Sequence, residues 1–151
     1  MKFSTRARYG LRAMLELALN YELKEPIPLF QIAERQLISE GYLEQMMNVL
    51  RKGGLVRSVR GAQGGYLLSR EPSRITAGEI VRCLEGPLNP TDCVSEEDPE
   101  NCVRAEFCVT RKLWERVRVA IATVLDGATL ADMCKEAENL RRSKDADMYY
   151  I

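Results

Sequence analysis

The chain of 151 residues contains no histidine, and its 22 Lys/Arg are balanced by 22 Asp/Glu. Without histidine there is no imidazole general base, no Cys–His or Ser–His nucleophile pair, and no nitrogen side chain to complete a metal site. A nucleophile elbow and a C-x-x-C pair are also missing, so an enzyme is not expected. No stretch approaches the roughly 18 apolar residues of a membrane helix, and no membrane association is expected. The opening residues Met1-Lys2-Phe3-Ser4-Thr5-Arg6 have no long apolar run and small-residue cleavage site behind them, so they do not read as an export signal. Five cysteines, an odd number, without such a signal point to a reducing cytoplasm, where thiols bind metal or react rather than pair.

What is present is a chain that is 46% apolar, enough for a core and too much for a disordered protein. The zero net charge hides an asymmetry. Residues 1–75 carry twelve basic and seven acidic side chains, and the remainder ten and fifteen. A basic first half suggests a nucleic-acid face, although chance asymmetry on a solvated surface gives the same count.

The apolar spacing from Arg6 to Leu23 predicts a helix capped by Ser4 or Thr5 and stopped by Glu25-Pro26-Ile27-Pro28. A short helical piece, Leu29 to Leu37, is followed by a turn at Ile38-Ser39-Glu40-Gly41. Ser39 is placed to cap a second helix from about Glu40 to Lys52, with Leu43, Met46, Met47 and Leu50 inward. Gly53-Gly54 ends it. Two helices joined by a tight turn make a helix-turn-helix. Leu55 to Arg60, Gly61-Ala62-Gln63-Gly64-Gly65 and Tyr66-Leu67-Leu68 read as strand, glycine turn and strand. A nucleotide loop would end in Gly-Lys-Ser/Thr and open a helix, so the glycines mark a wing. Thr76-Ala77-Gly78-Glu79 is a capping box for a helix to about Leu84. A long helical pattern spans Cys102 to Leu125 and includes Leu113, Trp114, Val117, Ala120 and Ile121. Thr129 and Asp132 cap a short final helix, and the residues from Arg141 read as a frayed polar tail ending in Tyr149-Tyr150-Ile151.

The predicted fold class is mainly α with a small β wing: a winged helix-turn-helix at 1–84, a cysteine loop at 85–109, a dimerisation helix and C-terminal helix at 102–137, and a polar tail at 138–151.

A recognition helix presents short polar side chains to base edges in the major groove, while cations hold phosphates. Gln45 and Asn48 suit adenine, Glu44 suits cytosine, and Arg51 with Lys52 suits the backbone. The helix N-terminus at Ser39 suits a phosphate. Arg57 and Arg60 with the bare backbone of the glycine turn suit a minor groove. The expected DNA-binding set is Ser4, Arg6, Ser39, Glu40, Tyr42, Leu43, Glu44, Gln45, Asn48, Arg51, Arg57, Arg60, Gly61, Gln63, Gly64, Gly65 and Tyr66. The bland alternative is an amphipathic helix and an ordinary hairpin.

Cys93, Cys102 and Cys108 stand at C-x8-C-x5-C between two helical patterns. Loosely spaced thiolates on a loop suit an iron–sulfur cluster, and the C-x2–4-C pairs usual for structural zinc are absent. Acidic residues around Cys93 and Cys102 disfavour bare thiolates. Cys83 and Cys134 lie in helical apolar patterns and read as buried thiols.

The run Ser4-Thr5-Arg6-Ala7-Arg8-Tyr9-Gly10, the segment Ser39 to Lys52 and above all Leu55 to Leu68 resemble the Rrf-two family of bacterial regulators, over roughly residues 1–137. The three loop cysteines and Leu113-Trp114 fall where its cluster-binding members have theirs. The resemblance implies a homodimeric repressor or activator of double-stranded DNA, crossed through the long helix. It also implies a 2Fe-2S cluster on Cys93, Cys102 and Cys108, with 4Fe-4S as the less favoured form, and control of cluster-assembly or related genes. Members with a histidine after the third cysteine use it as fourth ligand, and here that position matches Arg111. Others use an acid near the first helix, matched here by Arg8. The remaining candidates are Glu106, Asp92, Asp98 and Glu100, or Glu44 across a dimer. A thiol- or small-molecule-responsive regulator of the same fold, without a cluster, is the alternative.

Overall fold

The computed structural model describes residues 2–97 and 102–148, the last three by backbone only. Asp98, Glu100 and the terminal Tyr149-Tyr150-Ile151 lie outside the described residues. Helix α1 (Thr5–Leu19) begins where the Ser4 hydroxyl accepts the Ala7 N–H at 3.1 Å, and it buries Ala13, Met14 and Leu17. Helix α2 (Leu29–Gln36) follows Pro28, which cannot donate and so suits a helix start. It ends at Leu37, whose backbone is left-handed (φ 55°), with the Ile38 N–H closing onto Ala33 O at 2.9 Å. Helix α3 (Glu40–Lys52) starts one residue beyond Ser39. Ser39 stands at the N-cap with extended backbone, but its hydroxyl makes no capping bond.

Strands β1 (Val56–Val59) and β2 (Gly65–Leu68) pair antiparallel, with Val56 opposite Leu68 and Val59 opposite Gly65. The outer edge of β2 is closed by the α1–α2 link. Ile27 and Tyr66 exchange both backbone hydrogen bonds, at 3.0 and 2.9 Å. That contact explains Gly65, where a Cβ would stand 2.2 Å from Ile27 O.

Helix α4 (Ala77–Glu85) has the expected capping box, with Glu79 N–H to Thr76 Oγ1 at 3.1 Å and Thr76 N–H to Glu79 Oε2 at 3.0 Å. Its apolar face packs on α1 and α3. Met14, Ile32, Leu43, Met46, Met47, Leu50, Ile75, Ile80 and Leu130 are fully buried in one core.

Two helical expectations are corrected. Helix α5 spans Val109–Gly127 rather than starting at Cys102, because residues 102–108 turn through a short 3-10 piece, Ala105–Phe107, that ends in extended backbone at Cys108. Helix α6 (Leu130–Met148) continues well past Arg141 instead of fraying there. Its start is anchored by the Leu130 N–H on Ile75 O at 2.9 Å and by the Thr129–Asp132 cap, and alanine, lysine, glutamate and arginine propagate the helix outward. None of the 19 residues of α5 is buried. No helix among the described residues is long and apolar enough to cross a membrane.

Candidate nucleic-acid interface and thiol loop

Helix α3 has two sharply different faces. Leu43, Met46, Met47 and Leu50 are at 0% exposure, whereas Glu40, Glu44, Gln45, Arg51 and Lys52 are exposed. Leu43, expected among the DNA contacts, is therefore core. It lies three residues before Met46 and four before Met47, on the inward stripe. Asn48 is half-buried and accepts from Arg51 Nη2 at 3.4 Å. Tyr42 is half-buried edge-on to Tyr9, with centroids 6.3 Å apart, so its ring orients α3 against α1. Arg12 lies over the Tyr9 ring at 5.5 Å and donates to Gln36 Oε1 and O at 3.0 and 2.8 Å. It clamps α1 to the end of α2.

On the wing, Arg57, Arg60, Gly61 and Gln63 are exposed, and Gly64, Gly65 and Tyr66 are half-buried. Gly61 takes φ 115°, which only glycine adopts freely. Arg57, Arg60, Arg51 and Lys52 make no ion pair among the described residues, so four cations remain free for an anionic partner. Ser4 is committed otherwise: its hydroxyl caps α1 and its N–H donates to Glu85 Oε1 at 2.5 Å. Arg6 is half-buried near Cys83.

The thiol loop joins α4 to α5. Cys93 lies in a 3-10 turn (Asp92–Val94) whose Val94 is buried, and Cys108 occupies the N-cap position of α5. Arg111 Nε donates to Cys93 O at 3.1 Å, tying the first cysteine to the first turn of the helix that the third one caps. Each of these thiols has a hydroxyl neighbour: Thr91 Oγ1 is 3.3 Å from Cys93 Sγ and Thr110 Oγ1 is 3.2 Å from Cys108 Sγ. The Thr110 hydroxyl, the backbone N–H groups at the α5 start and the Arg111 charge draw the Cys108 thiol below its ordinary pKa, against a small opposing effect of burial. Cys102 is exposed. Asp92 and Glu106 are exposed on the same loop, and Glu44 is exposed on α3. Among the described residues, no three Cys, Asp or Glu side chains are gathered as metal ligands.

Cys83 and Cys134 are only half-buried, although burial raises the pKa of both. Cys83 Sγ points at Val49 O, 3.6 Å away.

Two polar clusters were not anticipated. Glu16 is 9% exposed on the inner side of α1 and is satisfied by Arg35 at 2.6 Å, Gln36 at 3.1 Å and Asn20 at 3.4 Å. A carboxylate in register with an apolar stripe is a visible signal for such a site. The second joins Arg82 to Glu96 and Asp126. Arg82 draws the Glu96 carboxyl down to about 2 through direct hydrogen bonds, against the effect of burial and with help from the Leu88 N–H and Arg118. No local pattern announces it, because its partners are 14 and 44 residues away.

The family model for Rrf2, described as an iron-dependent transcriptional regulator, matches residues 3–136. The chain belongs to the Rrf2 family. It is 44% identical to the HTH-type transcriptional regulator CymR of Bacillus subtilis over 151 residues, the whole of both chains. It is 39% identical to the HTH-type transcriptional regulator IscR of Vibrio atlanticus, covering 98% of this chain and 83% of that one. Among solved structures, CymR, the global cysteine regulator of B. subtilis, superposes with a TM-score of 0.75 at 46% identity, covering 90% of this chain and 98% of that one. IscR of T. potens does so with a TM-score of 0.75 at 47% identity, covering 93% and 90%. The chain is thus a DNA-binding transcriptional regulator with a winged helix, and its relatives regulate transcription rather than catalyse a reaction.

Proposed function

We propose that this regulator reads double-stranded DNA as a homodimer and that the thiols of residues 93–108 set its DNA-binding state by holding a 2Fe-2S cluster. The observation that carries this reading is the loop itself. Three cysteines lie on one connection between α4 and α5, and Arg111 on Cys93 O ties the turn that carries the first to the helix that starts at the third. The donor chemistry fits a cluster, since three thiolates and nearby carboxylates need no histidine. The cluster, when bound, would supply a redox- and iron-sensitive crosslink of the loop. Cys93, Cys102 and Cys108 would hold it, with the fourth ligand drawn from Glu106, Asp92, Asp98, Glu100 or, across the dimer, Glu44. Arg111 cannot serve, because its guanidinium is a cation engaged with the backbone.

On DNA, α3 would lie in the major groove with Gln45, Asn48 and Glu44 toward the bases. Ser39 and the α3 N–H groups would hold a phosphate, and Arg57, Arg60, Gly61, Gln63, Gly64, Gly65 and Tyr66 of the wing would lie along the backbone and minor groove. The dimer would form through α5, whose Leu113, Trp114, Val119 and Val124 are exposed on a helix with no buried residue.

A second reading has its own support: a regulator that senses through thiols without a cluster. The Cys108 thiol, whose pKa Thr110 and the backbone N–H groups at the helix start lower, suits it, as does the similarity to the global cysteine regulator. Anaerobic purification with visible absorption, Mössbauer spectra and an iron and sulfide count tests both. Two irons and two sulfides per chain are expected. A colourless, iron-free protein after reconstitution selects the thiol reading.

A further inference from the structure

Arg82 stands where the three working parts of the molecule meet. It projects from α4, whose opposite face packs on α1 and the recognition helix α3. Its Nε and Nη2 donate to Glu96 Oε2 and Oε1, both at 2.9 Å. Its Nη1 and Nη2 also donate to Asp126 Oδ1 and Oδ2, at 2.6 and 3.0 Å. One guanidinium thus forks onto two carboxylates, from the thiol loop and from the end of α5. Glu96 is three residues beyond Cys93, accepts the Leu88 N–H at 3.1 Å and faces Arg118 of α5 at 3.8 Å. The approach of Asp126 is built into the backbone, since a Cβ on Gly78 would stand 1.8 Å from Asp126 Oδ1.

Such a joint does not deform smoothly. Arg82 and Glu96 are at 29% and 17% side-chain exposure, so withdrawing Glu96 breaks two charge-assisted hydrogen bonds and leaves a poorly solvated cation to be shared differently. A movement of the loop around Cys93 therefore either leaves the fork intact and carries α4 with it, or breaks the fork and frees α4 from the loop. Through an intact fork the change reaches α3 by way of the α4–α3 packing, whereas a broken fork uncouples the loop from α3. We propose that Arg82, paired with Glu96 and Asp126, is the positioning residue that passes the state of the thiol loop to the DNA-reading head. This rests on the reading of that loop as the sensor.

The test compares two states of the loop in one protein. Wild-type protein selects a duplex from a random library, and affinity for that duplex is measured with free loop thiols and after anaerobic iron–sulfide reconstitution or alkylation of the thiols. In wild type the two states are expected to differ by about tenfold or more, as coupled sites commonly do. Glu96→Gln and Asp126→Asn should bring the ratio close to one, and Arg82→Lys, which keeps the charge but loses the fork, should do the same. A merely structural staple would weaken both states alike and leave the ratio unchanged. Amide exchange in the free-thiol protein gives a readout that needs no cluster: residues 92–97 should exchange faster in Glu96→Gln, without a matching change along α3. If folded variants retain the wild-type ratio, the role of Arg82 is overturned and the sensor reading stands. If wild type itself shows no ratio under either treatment, the sensor reading falls and takes this coupling with it.

Discussion

In the head, helix α3 hides four large side chains completely and turns its charges outward, whereas α5, six residues longer, buries none. Both helices are amphipathic, yet only the first has an apolar face with a matching surface in its own chain. An apolar stripe met by α1, α2 and α4 makes a rigid platform that can hold a reading surface. On α5 the stripe stays exposed and the helix is tied to the platform through Arg82, which is the arrangement the proposed dimer calls for.

Breaking the platform should have the largest effect. Leu43→Ala leaves a cavity at a fully enclosed position and should cost about 2–5 kcal/mol in urea unfolding, with loss of DNA binding but no direct effect on the thiols. Trp114→Glu attacks the other side of the comparison. It should weaken self-association by about 2–4 kcal/mol in sedimentation equilibrium while the thermal midpoint of the head stays close to wild type. An unchanged association constant would remove α5 from the interface.

Smaller effects sharpen the division within the head. Gln45→Ala should cost about 1–3 kcal/mol on the selected duplex and relax preference at one base pair. Arg57→Ala should weaken all duplexes alike and lower the salt slope by about one. The smallest effect is local and set by pH. Glu96 has an ordinary value of 4.5 and is held down to about 2, so its contribution is complete above about 4.5 and disappears as pH falls toward 2. Amide exchange at residues 92–97 should accelerate across that window, and Glu96→Gln should abolish the pH dependence.

The helix-turn-helix, the wing and the α4 capping box were legible because each is written in neighbouring residues: apolar spacing, a glycine turn, Thr76 with Glu79. The exposure of Glu44, Gln45, Arg51, Arg57 and Arg60 was legible for the same reason, and the burial of Leu43 was not. Its place in the DNA-contact run conflicted with its place on the inward stripe, and burial decided. The start of α5 was misread because apolar and charged residues from Cys102 to Cys108 continue the helical pattern, although the backbone there runs through a 3-10 turn. The outward run of α6 was underestimated because polar residues that fray in isolation hold a helix once its first turn is fixed in the core.

The order of amino acids by itself determined the secondary elements, the amphipathic faces and the set of thiols, since these follow from interactions within a few residues. Only the tertiary structure decided that Ile27 would close the wing, that Glu16 would find Arg35 and Gln36, and that Arg82 would join Glu96 to Asp126. Such contacts link residues 14 to 44 positions apart, and which charges meet depends on how helices already formed are packed together.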